Sequence, residues 1–243
     1  MNVAAALPQQ GRQVLLLDEH DPAPQSVASV WGVAPHGSLA DVAYRHCECG
    51  DAAVRAPCGV GMLPALELAE AFDPQLLQPY QVVLVDARLD PAGNLSPLAR
   101  MAGELVLVLR SDPTAITATY AGIKRLHYAH ALKQLRFLLN GVTDPAEAQR
   151  IAQNMAQVGS RYLGVSLESA GWLSVDAGMV AARRQRQTVV EAFPASPAAV
   201  DMRRIADDMG QWPWRPAGAQ RQPGGAAPRR QGAGTRTQGV ALA

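Results

Sequence analysis

Tyr80–Ser96 reads YQVVLVDARLDPAGNLS. Its Val82–Val85 run is unbroken by polar residues and ends on a carboxylate, Asp86, before a polar loop begins. A run without alternation is what a strand buried on both faces of a parallel sheet requires. Ligands of α/β sheets bind at the carboxyl ends of such strands. An acid at that place in a nucleotide-binding fold holds Mg²⁺, directly or through water. The plainer reading of Asp86 is a strand-end acid that caps the next turn.

Working outward, Gln13–Leu17 is a second all-apolar strand and again ends on an acid, Asp18. Met1–Gln10 reads as the second half of a helix that Gly11 stops, so the chain opens on an α/β half-unit whose first strand is missing. Pro22 and Pro24 make Asp21–Gln25 a loop. Short helices are expected at Ser26–Trp31 and Ser38–His46, the latter with Ser38 as N-cap and Asp41 at the third helical position. Val60–Pro64 is a short strand, and Asp90–Pro97 a loop leading into a helical turn at Leu98–Ala102.

Glu104–Leu109 and Arg136–Leu139 are further buried strands, the second finishing on Asn140. Pro113 near the first helical position starts a helix that runs to about His130. Asp144-Pro145 opens another to about Leu163, with Ile151, Met155, Val158 and Tyr162 on one apolar face. Leu167–Leu173 is the last strand, and Ala177–Arg186 and Ala198–Met209 are closing helices. Strands separated by helix-length segments argue an α/β, doubly wound, mostly parallel sheet over residues 1–209. From Gly210 to Ala243 the composition turns to Gly, Pro, Gln and Arg without acids, which reads as an unstructured tail.

Composition sets bounds on partners and compartment. A net charge of +1 predicts neither a nucleic-acid partner nor an acidic one. Three cysteines without a signal peptide suit a reducing, cytoplasmic setting, and no apolar run approaches the roughly 20 residues that span a bilayer. His46-Cys47-Glu48-Cys49 with Cys58 lacks the spacing of a zinc site and reads as a thiol cluster without metal. His127 and His130 read as part of a solvated basic helix face with Lys124 and Arg125. Asp176 reads as the N-cap of the helix after it.

Asp18, Asp86 and Asn140 would then share one edge of the sheet, and the segments around them resemble a known family. MNVAAALPQQGRQVLLLDE, VVLVDA, ELVLVLRSDPTAITATYAGIKRL, FLLNGVTDPAEA and GWLSVD with VVEAFPASPAA resemble, in this order, the MinD/ParA class of deviant P-loop ATPases. Within that class they are similar to the flagellar-number regulators of the FlhG (FleN) family, over about Met1–Met209. The resemblance implies a cytoplasmic ATPase that dimerises around ATP and Mg²⁺ and limits flagellar number and placement. The implied partners are an FlhF-type GTPase, flagellar basal-body parts or a transcription activator, with peripheral contact to the inner membrane. By the same resemblance Asp86 holds Mg²⁺ through water, Asp18 supports the first switch, and Asn140 meets the base. An asparagine carboxamide both donates and accepts, as an adenine edge needs, while a turn before Gly141 explains the same residue.

Departures from the family are as specific as the matches. Its Gly-rich, Lys-containing loop is expected just before Met1, and no G-x-x-x-x-G-K-[ST] occurs within the chain. His20 stands where relatives carry a second acid. The fold is therefore expected to lack its first strand and P-loop, leaving Val82–Val85 with an unpaired edge, and the chain is expected not to hydrolyse ATP efficiently. A mis-assigned start and a degenerate paralogue both account for this. A non-catalytic interaction scaffold of the same fold, or an ATPase of chromosome partition or cellulose secretion, are the other readings. Met202–Met209 with Trp212 and Trp214 invites an interfacial membrane helix, which Asp201, Asp207 and Asp208 oppose.

Overall fold

The computed structural model describes residues 1–20, 26–66, 72–213 and, by its backbone, 238–242. The expected loop at Asp21–Gln25, Trp214 and most of the expected tail lie outside the described residues. The apolar runs become strands β1 (Val14–Asp18), β2 (Val54–Arg55), β3 (Gly61–Pro64) and β4 (Val82–Asp86). They are followed by β5 (Glu104–Arg110), β6 (Gln134–Val142), β7 (Ser166–Ser174) and β8 (Gln238–Leu242). All belong to one sheet in the order β2-β3-β1-β4-β8-β5-β6-β7, parallel except at the β2–β3 edge.

Helices cover both faces, as strands without alternation demand. Leu15, Leu17, Val83, Val85, Leu107 and Phe137 point to one side. There they meet α3 (Leu39–Ala43), α4 (Cys49–Ala52), α5 (Pro113–His130) and α6 (Pro145–Val158), after α1 (Asn2–Ala6) and α2 (Val27–Trp31) in the chain. Val14, Leu16, Leu84 and Leu138 point to the other side, against α1, α2, α7 (Gly178–Arg184), α8 (Val189–Ala192) and α9 (Pro197–Met209). The doubly wound α/β architecture follows directly from this two-sided burial.

Local signals place the helix starts. Ser38 and Asp41 form a reciprocal capping box, Asp112 caps α5 ahead of Pro113, and Asp144 caps α6 ahead of Pro145. Asp176 accepts from the amides of Gly178 and Ala198, so it ties the starts of α7 and α9 together. In α9, Met202, Ile205 and Met209 are buried in the core on that side of the sheet. None of the helices among the described residues is long and apolar enough to cross a membrane.

Four expectations need correction. The edge of β4 is not open: β8, from within the expected tail, pairs with β4 on one side and β5 on the other. A central strand with unmet amides and carbonyls is costly to bury, and β8 meets them. Asn140 does not end its strand, because β6 continues to Val142 through an irregularity at Gly141, whose φ is +80°. Tyr162 is 69% exposed, since α6 passes into a π-helical turn at Gly159–Leu163 that rotates it off the Met155 face. His127 and His130 are not simply solvated: His127 Nδ1 lies 2.7 Å from the Leu132 carbonyl, and His130 Nε2 accepts from the Leu95 amide.

Near the starts of β5 and β6, buried Arg136 bridges Glu104 at 3.1 Å and Glu168 at 2.7 Å. Its guanidinium lies under the ring of Trp212, 4.4 Å from the centroid. The chain past α9 is thus fixed at the amino ends of β5 and β6. A Cβ on Gly159 would lie 2.6 Å from Leu167 Cγ and 3.0 Å from the Val165 carbonyl. Gly159→Ala should therefore cost about 1–3 kcal/mol by overpacking, read as a lower urea midpoint with unchanged m-value.

Candidate functional site

Register brings the two acids together. β1 and β4 are adjacent and parallel, and Asp18 pairs with Asp86. Asp18 is buried, and both its oxygens accept backbone amides, Oδ1 from His20 at 3.0 Å and Oδ2 from Val27 at 3.1 Å. That makes it the clamp that fixes the start of α2. Asp86 is more open, with its Oδ1 3.6 Å from His20 Nε2. One ligand atom from each of Asp18, His20 and Asp86 lies within 4.8 Å of the others.

This donor set fits a hard cation only in part. Mg²⁺ takes oxygen ligands and keeps several waters, so Asp86 suits it through water, while His20 competes as an ion-pair partner. These 243 residues hold no G-x-x-x-x-G-K-[ST], the loop motif whose backbone amides cradle phosphates.

The loop after β4 closes over the same edge. Glu19, directly after Asp18, is buried and accepts from the Arg88 amide at 3.0 Å and from the Ser96 hydroxyl at 2.5 Å. Asp90 accepts both amides of Asn94, backbone and side chain, and His130 takes the Leu95 amide. A cavity of about 460 Å³ lies under this loop, lined by Glu19, Ala65, Arg88, Asp90, Asn94 and Ser96. Glu19 was not among the residues expected here. The signal was its position: a second acid after a strand-end acid stays on the same rim.

Asn140 sits on that carboxyl edge as well but not beside the acids. Three strand steps separate it from Asp86, roughly 14 Å across the sheet, and the register through β8 and β5 makes Asp86 level with Arg136, so Asn140 also lies four residues farther along the strands. It is exposed and lines a separate cavity of about 500 Å³ with Arg110, Ser111, Asp112, Thr143 and Glu147. Ser111 fixes the turn there, its amide donating to the Asn140 carbonyl and its hydroxyl to the Gly141 carbonyl. The edge thus carries an acidic end at β1 and β4 and a mixed polar pocket at β5 and β6. Cys47, Cys49 and Cys58 are free thiols, and burial pushes the Cys49 thiol up to about 11.

This fold, with acids at the ends of adjacent parallel strands, is that of the MinD/ParA-type P-loop ATPases. A chain of the MinC:MinD cell division complex of Aquifex aeolicus superposes with a TM-score of 0.60 at 16% identity, over 87% of this chain and 88% of that one. The cell division ATPase MinD of Pyrococcus furiosus gives 0.59 at 19% identity, over 86% and 90%. The MinD of Pyrococcus horikoshii, in complex with Mg-ADP, gives 0.56 at 18% identity, over 86% and 87%. These likenesses are of fold. No protein-family model matches the chain. In sequence it is 31% identical over 227 residues to the antiactivator FleN of Pseudomonas aeruginosa, covering 88% of this chain and 81% of that protein. The chain belongs to the FleN (FlhG) family of MinD/ParA-type ATPase regulators.

Burial raises the Glu19 carboxyl above its ordinary 4.5, and the Ser96 and Arg88 hydrogen bonds pull it back only in part. The folded state then binds the proton more tightly than the unfolded one. Stability from this group is complete below pH 4.5 and is lost as pH rises through the raised folded value. Urea unfolding between pH 4 and 7 should show this decline in the native chain and lack it in Glu19→Gln. Parallel curves would contradict the assignment.

Proposed function

We propose that the chain is a nucleotide-responsive regulator of flagellar number and placement, and that as a polypeptide of these 243 residues it does not turn over ATP efficiently. The carrying observation is the shared carboxyl edge: Asp18 and Asp86 in register at one end, the Asn140 pocket at the other. An adenine nucleotide laid along that edge would present its base to Asn140. Its phosphates would point toward Asp86, which would hold Mg²⁺ through water. The ion, when bound, supplies positive charge against the phosphates. Asp18 holds the His20 and Val27 amides, and Glu19 ties the end of β1 to the loop after β4. A change at Asp86 can thereby reach that loop.

Kinship with an antiactivator supports protein partners as the output, a transcription activator first. An FlhF-type GTPase and basal-body parts are the further partners of this reading. A homodimer around nucleotide and peripheral contact with the inner membrane from the cytoplasm complete it. Hydrolysis is assigned a minor role because phosphoryl transfer depends on a preorganised cradle of donors, and no such loop motif occurs in these residues.

A second reading is favoured by the saturation of Asp18 and by the His20–Asp86 pair: a scaffold that binds a partner without nucleotide. Calorimetry with ATP and Mg²⁺ separates the two. The first reading expects saturable binding, weakened roughly 5- to 150-fold by Asn140→Leu through loss of about 1–3 kcal/mol of base hydrogen bonding. It also expects phosphate release at the uncatalysed rate. No binding would leave the scaffold reading, and family-like turnover would refute the hydrolysis assignment.

A further inference from the structure

We propose that the outer face of α5 and the loop after β4 together form a docking surface for an acidic segment of a partner protein. The loop folds back on itself, Leu89 pairing antiparallel with Leu95, and it is pinned to the C-terminal half of α5. His130 Nε2 accepts the Leu95 amide, and Arg125 Nε lies 3.3 Å from where a Cβ on Gly93 would stand. The guanidinium of Arg125 therefore lies over the tip of the loop. Lys124 is exposed beside it, 6.0 Å from the centre of the Tyr128 ring, and Tyr128 is itself 71% exposed. Arg100, in the short turn that follows the loop, adds its charge near His130.

This face carries cations without counter-charge. Residues 113–143 hold Lys124, Arg125, Lys133 and Arg136 but not one Asp or Glu, and Asp90 is the one acid of residues 87–103. Asp90 turns its two oxygens to the amides of Asn94. Among the described residues Arg100, Lys124 and Arg125 form no ion pair, whereas Arg110, Arg136 and Arg204 each do. The Nε of Arg100 is moreover buried with no acceptor among those residues. A desolvated donor of that kind is costly to leave unmet, and an acceptor brought by another molecule removes the cost.

Charge and composition select the occupant. Carboxylates meet guanidinium groups in paired, charge-assisted bonds, and an exposed tyrosine among arginines is the make-up of the centre of a protein interface. A second copy docking through the same face would set these cations against themselves. Residues 210–243 contain no acid and are excluded on the same ground. An anionic lipid surface asks for an apolar face beside the charges, but Ile123 and Leu126 of α5 are turned to the core. A nucleic acid asks for a longer basic stripe than this, on a chain of higher charge than +1.

A partner seated here would be felt at the acids, since the loop starts just after Asp86 and Glu19 holds its two ends through the Arg88 amide and the Ser96 hydroxyl. The docking assignment does not rest on nucleotide binding, and its test uses none. In the full-length chain, a fluorescein-labelled Glu-rich peptide with a central phenylalanine should bind saturably by fluorescence anisotropy, and more weakly as salt rises. The same peptide with Gln in place of Glu should bind at least roughly 10-fold more weakly. Arg125→Glu and Tyr128→Ala, both at exposed positions, should each weaken binding by roughly 5- to 30-fold. Arg183→Glu, the same change of charge on exposed α7 across the sheet, should leave it unchanged. Equal losses in Arg125→Glu and Arg183→Glu, equal affinity for the Gln peptide, or no saturable binding would each overturn the proposal. Binding of phosphatidylserine vesicles or duplex DNA that is lost in Arg125→Glu, with the peptide unbound, would give the face to a lipid or a nucleic acid and overturn it too.

Discussion

The structure depends on the double pairing of one short strand. Val82–Asp86 is covered on both faces and bonded on both edges, by β1 and by β8. Buried peptide groups tolerate no vacancy, because each unmet donor or acceptor forfeits its hydration without return. Once β4 is satisfied in this way its register has no freedom. A slip of one residue would turn Val83 and Val85 to the wrong core and carry Asp86 off the rim. The position of the acid is therefore a by-product of packing several residues upstream.

From that fixed point the two loops at the edge inherit their geometry. Asp18 spends its charge on the entry to α2, Glu19 spends its own on the loop after β4, and Asp86 keeps the freedom to meet an ion or His20. Three acids close together thus have three different duties, sorted by how many amides each has already accepted. The pocket around Asn140 is held separately, through Ser111 and the left-handed glycine after it. Coupling between the two ends has to run through the strands or through a ligand that touches both.

What could be read beforehand was what local chemistry decides. Unbroken apolar runs located β1, β4 and β5, and proline after a capping acid located α5 and α6, because those signals act within a few residues. Asp18 and Asp86 were legible as strand-end acids. The duties of Glu19 and His130 were not, since each bonds a loop amide far along the chain, Arg88 and Leu95 respectively. Tyr162 followed the ordinary helical period until a π turn changed it. β8 was invisible for a deeper reason: Gln-Gly-Val-Ala-Leu has little strand propensity of its own, and only the vacancy between β4 and β5 makes it one.

The place of β8 in the chain has a consequence for biosynthesis. β4 and β5 both precede residue 238 in the chain, so both flanks of β8 are synthesised before it. The nascent polypeptide must carry two unfinished halves past the ribosome exit, and their fusion is the last long-range contact to form. For that interval the facing edges of β4 and β5 lack the partner that β8 gives them in the finished fold.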